Sequence, residues 1–220
     1  MAATKKIKKQ SSLRRFILSN WGGEAFIIPA DYLVNSLNRI DSDDVKKIET
    51  PGGNREGLYD PHGYVILMGH IPDVGPLENG RKFLKPPPRT PNTVQFNMEF
   101  NAGGVFYGIE NLIKSASEKK TVIIPDFEKS KDGLISIGYN ESPYEDLFVY
   151  VASRKPVSYI RCGRKPETEN PACRVYGAYD HFVGLGIEFS SENLDWYANQ
   201  GGIDMINERI RSWQVREKDN

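Results

Sequence analysis

The chain has 220 residues, of which 39% are hydrophobic, 26% charged and 11% aromatic, and this composition excludes wholesale disorder. The 29 basic and 29 acidic side chains balance. The sequence contains no run of about 18 apolar residues, the length that a membrane-spanning helix needs. A chain of this length fits one domain built around a single core.

The first 15 residues, MAATKKIKKQSSLRR, hold six basic side chains and no acidic one. No apolar segment with a small-residue cleavage site follows them, so they are not typical of a secretory signal. We expect residues 1–15 to form a disordered basic tail and residues 16–220 a single domain. With six of the 29 basic side chains in the tail, 23 remain against all 29 acidic ones. This excess of about six negative charges disfavours nucleic-acid binding, which requires a clustered basic face.

The first half of the domain is predicted to combine strands with polar loops. RRFILSNWGGEAFIIP predicts a hairpin around a Gly-Gly turn, and DYLVNSLNR a short helix or turn. YVILMGHIP has apolar residues on both sides of the strand that it would form, which predicts a central strand covered on both faces. TVQFNMEF alternates apolar and polar residues, as a strand with one solvent-exposed face does. GIENLIKSASEKK carries an apolar stripe and ends in lysines, a pattern that predicts a helix.

The segment DVGPLENGRKFLKPPPRTPN contains five prolines, and proline does not suit a helix interior or a central strand. We predict a long, stiff, exposed loop from Asp73 to Pro91, which is either an ordinary surface loop or a binding element. Apolar side chains among its prolines would anchor a partner, and acidic side chains would steer a basic cleft. The candidate contact residues are Asp73, Leu77, Glu78, Phe83, Leu84, Glu141, Glu145 and Asp146.

The second half is rich in predicted strands. GLISIGY, DLFVYVA, PVSYIRC, CRVYGAYD and HFVGLGIEF are separated by polar turns, which favours an antiparallel meander. SSENLDWYANQGGIDMINERIRSW predicts two helical pieces broken at Gly201 and Gly202, with Trp196 and Trp213 on the buried side. The predicted fold class is α+β, with antiparallel sheets, a few helices and a C-terminal helix. Two related halves, residues 16–120 and 121–220, are a further possibility within this class.

A search for catalytic chemistry returns no recognised motif. The sequence has no HExxH, CxxC, GxSxG or P-loop pattern, and the glycines of NAGGVFYGIENL lack the Lys and Ser/Thr of a phosphate site. His62 and His70 bracket a predicted strand, but a rise of about 3.3 Å per residue would separate them by about 26 Å. They therefore cannot share one metal ion with Asp60. We predict no catalytic residue, no cofactor and no metal site.

Both cysteines of the chain flank the polar stretch CGRKPETENPAC. A hairpin of the two adjoining strands would bring Cys162 and Cys173 together, and a disulfide there would stabilise the fold by roughly 3 kcal/mol. Two free thiols in a cytosolic protein are the alternative. The even count and the polar loop favour the bond, and hence an oxidising compartment such as the periplasm.

Several segments together resemble a known family. They are FIIPADYL, IPDVGPLEN, the succession of DLFVYVA, PVSYIRC and PAC, and the ending VGLGIEFSSENLDWYANQGGIDMINERIRSW. They resemble proteobacterial immunity proteins encoded beside type VI secretion effectors, particularly the Tli-like partners of phospholipase-type toxins. The resemblance runs from Trp21 to Trp213 and is most specific at the ending.

The resemblance implies a protein that is not an enzyme and that binds and inhibits a cognate lipase effector in the periplasm. Family members are commonly exported or anchored at the N-terminus, whereas this chain begins with the basic tail. A replaced native signal or anchor would explain that difference, and a cytoplasmic location is the alternative. Two other functions stay open: an envelope structural or interaction protein without a toxin partner, and an enzyme with an unrecognised site.

Overall fold

A computed structural model describes residues 15–19, 25–29, 32, 64–77, 90–100, 105–141, 144–164, 171–178 and 183–215. Across these residues the chain forms two antiparallel sheets and three α-helices, so the predicted α+β class is confirmed. The helices are α1 (Val105–Ser117), α2 (Leu194–Asn199) and α3 (Gly202–Trp213). None of these helices is long and apolar enough to cross a bilayer.

A seven-stranded antiparallel sheet forms the centre of the described structure, with strand order β3-β4-β9-β8-β7-β6-β5. Its strands are β3 (Tyr64–His70), β4 (Thr93–Phe100), β5 (Gly133–Asn140), β6 (Glu145–Ala152), β7 (Lys155–Gly163), β8 (Ala172–Ala178) and β9 (Val183–Ser190). Strands β5 to β9 follow one another as the predicted meander. The pairing of β9 with β4 then joins the meander to the earlier strands.

The position of β3 corrects the prediction of a central strand, because in the described part of the chain β3 is the first strand of the sheet and β4 is the strand with which it pairs. Leu67 and Met68 point to opposite faces, and both are buried. A strand that is apolar on both sides therefore indicates two covered faces. It does not indicate hydrogen-bonded neighbours on both edges.

A smaller sheet contains β1 (Arg15–Ser19), β2 (Ala25–Pro29) and β10 (Gln214–Val215), in the order β1-β2-β10. Strands β1 and β2 form the predicted hairpin, with Ser19 opposite Ala25. The two-residue strand β10 follows α3 and pairs with β2, so the end of α3 lies beside the β1–β2 hairpin. The predicted tail lies outside the described residues except for Arg15, which begins β1.

Helices and the smaller sheet cover the two faces of the large sheet. On one face, the large core combines β4, β8 and β9 with α2, α3 and β2; Phe96 of β4 stacks on Trp213 of α3, with ring centroids 6.1 Å apart. On the other face, α1 packs through Ile109 and Ile113 on β6, β7 and β8.

The predicted break between the last two helices is confirmed at Gly201 and Gly202. Gly201 has a φ of 83°, which places it in the left-handed region that favours glycine. A Cβ atom on Gly202 would lie 2.8 Å from the Cα of Tyr197 and 2.9 Å from a ring carbon of Trp196. Only glycine allows α3 to begin this close to α2. Trp196 and Trp213 are both buried, as predicted.

Candidate partner-binding surfaces

The two cysteines form the predicted disulfide. Cys162 on β7 and Cys173 on β8 lie directly opposite each other, with Cα atoms 4.0 Å apart. Both side chains are buried in the large core. The bond therefore joins the hairpin at its last strand pair before the polar loop, and it supports the core from within.

The first residues of the proline loop are fixed to the rest of the domain. Val74 is fully buried and has a φ of 53°, a conformation that is rare for a branched side chain. The Tyr32 hydroxyl donates a hydrogen bond to the Val74 carbonyl at 3.1 Å. The Trp196 indole donates one to the Pro72 carbonyl, also at 3.1 Å. These contacts give the start of the loop one defined conformation.

The two ends of the proline loop are also held together. The Ile71 amide donates to the Asn92 carbonyl at 2.9 Å, and the Asn193 side chain donates to the Pro91 carbonyl at 2.5 Å. Of the predicted contact residues in this region, Asp73 is exposed and Leu77 is half-buried. The other three, Glu78, Phe83 and Leu84, lie outside the described residues. Residues 71–74, 91 and 92 thus form a rigid base for the proline loop.

The remaining predicted contacts lie at the other edge of the large sheet, around the β5–β6 hairpin. Glu141 is exposed, whereas Glu145 is buried and accepts hydrogen bonds from Arg161. Asp146 is partly exposed and is bonded to Arg164. Because β3 and β5 end the sheet on opposite sides, the structure does not bring Asp73 together with the hairpin residues.

Glu145 and Arg161 form an ion pair in which Glu145 is buried and Arg161 is partly exposed. Burial by itself lowers the pKa of Arg161. The hydrogen bond and the charge of Glu145 raise this pKa by more than burial lowers it, so the net change is upward. The sequence predicted Glu145 as a partner contact. In the folded chain it is buried and accepts a hydrogen bond from Arg161.

One surface was not identified from the sequence: the polar sheet face, formed where β4, β9 and β8 are neighbours. Its residues are all at least partly exposed, whereas their sequence neighbours on the opposite face, including Phe96, Val175 and Ile187, are buried. The sequence did carry a signal for this surface, because polar or small residues stand on either side of a buried apolar residue in the segments QFN, RVY and GIE. The polar sheet face consists of Gln95, Asn97, Arg174, Tyr176, Gly186 and Glu188.

Two arginines lie directly opposite each other at the border of this face, Arg161 on β7 and Arg174 on β8. Like charges in such a position repel each other. Each arginine has a carboxylate partner on the neighbouring strand that lies away from the other arginine. Arg161 is bonded to Glu145, and the Nε of Arg174 lies 3.3 Å from the Glu188 carboxylate.

The described residues contain no group of three or more His, Cys, Asp or Glu side chains arranged to hold a metal ion. His70 is the last residue of β3. The other two residues that we considered as ligands, Asp60 and His62, lie outside the described part of the chain.

Comparisons with known proteins give one informative match. No protein-family model and no curated protein sequence matches this chain. Among solved structures, the chain is similar to Smlt3025, an immunity protein of the Stenotrophomonas maltophilia type IV secretion system. The match covers 92% of this chain and 94% of that one, with a TM-score of 0.56 and 13% sequence identity. At this identity the match shows a shared fold.

Proposed function

We propose that this protein is an immunity protein, which binds a secreted bacterial effector and neutralises it. The observation that carries the proposal is the fold shared with Smlt3025 over nearly the full length of both chains, since that protein is described as an immunity protein. Neutralisation by binding requires a preorganised surface, because rigidity lowers the entropy lost on association. The fixed base of the proline loop is such a surface.

The class of effector is a finer part of the proposal. We propose a phospholipase-type toxin delivered by a type VI system, on the strength of the sequence segments that resemble the immunity partners of such toxins. Smlt3025 belongs to a type IV system, so the two lines of support agree on the role and differ on the delivery route. The identity of the bound toxin will distinguish them.

We further propose that the two proteins meet in the periplasm. The support is the buried disulfide between Cys162 and Cys173, because such bonds persist in oxidising compartments. A toxin expressed in the host periplasm should be neutralised only when this chain is exported. Protection by a chain kept in the cytoplasm would overturn this part of the proposal.

The contact residues proposed from the sequence fit this role in two groups. Asp73, Leu77, Glu78, Phe83 and Leu84 would contact the effector from the proline loop. Glu141 would contribute an exposed charge at the other sheet edge, where Glu145 and Asp146 act through the arginines to which they are bonded.

The experiment uses the purified protein encoded by the gene adjacent to that of this chain. Calorimetry should show a one-to-one complex with a dissociation constant of about 10 nM or tighter, as is common for preorganised interfaces. Hydrolysis of phosphatidylglycerol vesicles by the effector should fall to background when the two proteins are equimolar. Absence of binding contradicts the immunity role and favours an envelope interaction protein. Binding without vesicle hydrolysis in either sample contradicts only the phospholipase assignment.

A further inference from the structure

We propose, on the basis of the immunity function above, that Tyr32, Trp196 and Arg209 are positioning residues for the effector complex. They hold the loop corner, formed by residues 72–75 at the start of the proline loop, in the conformation that the effector contacts. Arg209 is the member of this group whose role can be separated from the core, because its side chain is partly exposed whereas Tyr32 and Trp196 are buried.

Three consecutive carbonyl groups of the loop corner, those of residues 72, 73 and 74, each accept a hydrogen bond from a side chain of a different element. Trp196 of α2 and Tyr32, which follows β2, bind the outer two carbonyls, both at 3.1 Å. Arg209 of α3 binds the middle one at 3.4 Å, and its Cζ lies 5.9 Å from the centroid of the Tyr32 ring. A guanidinium at this distance is attracted to the face of the ring. The Arg209 side chain therefore connects the loop corner with Tyr32.

The backbone of the loop corner needs such support. Val74 is fully buried with a φ of 53°, and a branched side chain rarely adopts this left-handed conformation. The Val74 amide donates to the His70 carbonyl at 2.8 Å, and the Gly75 amide donates to the Asp73 carboxylate at 3.1 Å. Strained residues of this kind persist where the surrounding structure holds them, and they concentrate at functional sites. The three side-chain donors supply that hold from outside the loop.

The loop corner is accessible as well as fixed. Pro72, Asp73 and the following Pro76 are exposed. A surface that already has its bound conformation loses little entropy when a partner binds it. Without Arg209 the Asp73 carbonyl loses its side-chain donor, the corner gains conformational freedom, and binding has to order it again. Arg209 therefore raises the affinity for the effector by acting on the corner, without a contact of its own.

The test measures binding of the purified adjacent-gene product and, separately, amide hydrogen exchange at the loop corner. Arg209→Ala should weaken binding about 5- to 10-fold, the effect of one lost hydrogen bond. It should also speed exchange of the Val74 and Gly75 amides at least about threefold, while its melting temperature stays within about 3 °C of the parent. Arg211→Ala is the matched control, because Arg211 is an exposed arginine of the same helix and residues two apart do not share a helix face. It should change binding and exchange by less than about twofold.

The outcomes separate this inference from the immunity function. If the unchanged chain binds the effector and Arg209→Ala binds within about twofold of it, Arg209 is not a positioning residue, and the immunity function stands. If binding weakens but exchange at Val74 and Gly75 is unchanged, Arg209 contacts the effector directly, and the positioning role is excluded. If the unchanged chain does not bind, the proposed function itself fails.

Two further variants complete the test. Arg209→Lys keeps the charge and a donor group, so it should restore part of both the affinity and the protection from exchange. Should Arg209→Ala not fold, Tyr32→Phe decides in its place, because it removes the hydroxyl bonded to the Val74 carbonyl and keeps the ring. It should weaken binding and speed exchange together, and a change in neither would overturn the inference.

Discussion

The indole nitrogen of Trp196 donates a hydrogen bond to the carbonyl oxygen of Pro72, across 124 residues of sequence. The same indole ring is buried against Phe189, at 6.2 Å between centroids and nearly perpendicular to it. Trp196 therefore belongs both to the core and to the base of the proline loop. A single side chain links the stability of the domain to the geometry of the proposed binding element.

Trp196→Ala should lower the free energy of unfolding by about 3 to 5 kcal/mol, because it leaves a large cavity in the core. Trp196→Phe keeps most of the ring but removes the hydrogen bond to Pro72, and should lower it by about 1 kcal/mol. Urea denaturation followed by circular dichroism measures both values. A loss of less than about 1 kcal/mol for the alanine variant would show that the ring does not support the core.

Phe83→Ala should weaken the effector complex by at least about 2 kcal/mol, because aromatic anchors often dominate an interface. Ile123→Ala is the matched control, since Ile123 has 80% of its surface exposed and pairs with β5 at the other sheet edge. Calorimetry compares the two variants. A chain lacking residues 78–89 that folds and still binds like the parent would remove the proline loop from the interface.

Reducing the disulfide should lower the free energy of unfolding by about 3 kcal/mol, since the bond closes a loop between residues 11 apart in sequence. The measurement is urea denaturation with and without a reductant. The variant Cys162→Ala/Cys173→Ala should unfold at the same urea concentration under both conditions. Alkylation of both thiols in the untreated, folded protein would contradict the bond and the proposed compartment.

The Asp132 carboxylate should make stability fall at acidic pH. It accepts hydrogen bonds from the amides of Ser153 and Arg154, at 2.9 and 3.1 Å, and these bonds lower its pKa. Both residues have positive φ, as in the two-residue turn that suits a hairpin. Because the folded pKa lies below the unfolded value, the stabilisation is complete above about pH 4. It is lost as the pH falls through the folded pKa.

The measurement for Asp132 is the melting temperature of the parent and of Asp132→Ala at several pH values. The parent should melt at a higher temperature at pH 7, and the difference should shrink toward pH 2. Glu208→Ala, which removes an exposed carboxylate from α3, is the control for the loss of one surface charge. A difference between parent and Asp132→Ala that is the same at pH 7 and pH 2 would rule out this carboxylate as the source.

The sequence by itself determined the local elements. Period-two alternation in segments such as TVQFNMEF predicted strands and their buried faces, since successive side chains point to opposite sides. Short polar turns predicted the meander from β5 to β9, and the adjacent strands predicted the disulfide between Cys162 and Cys173. The Gly201-Gly202 pair predicted the helix break, because these residues are close in sequence and local sterics decide their conformation.

Only the tertiary structure decided which elements are neighbours. Alternation tells which face of a strand is buried but not which strand pairs beside it, so within the described sheet β3 proved to be an edge strand and β9 a partner of β4. The same limit applied to charges: the sequence did not predict the ion pair of Glu145 with Arg161, which depends on the register of β6 and β7. The polar sheet face arises in the same way, since Asn97 is far in sequence from Gly186 and Tyr176 and becomes their neighbour only through strand pairing.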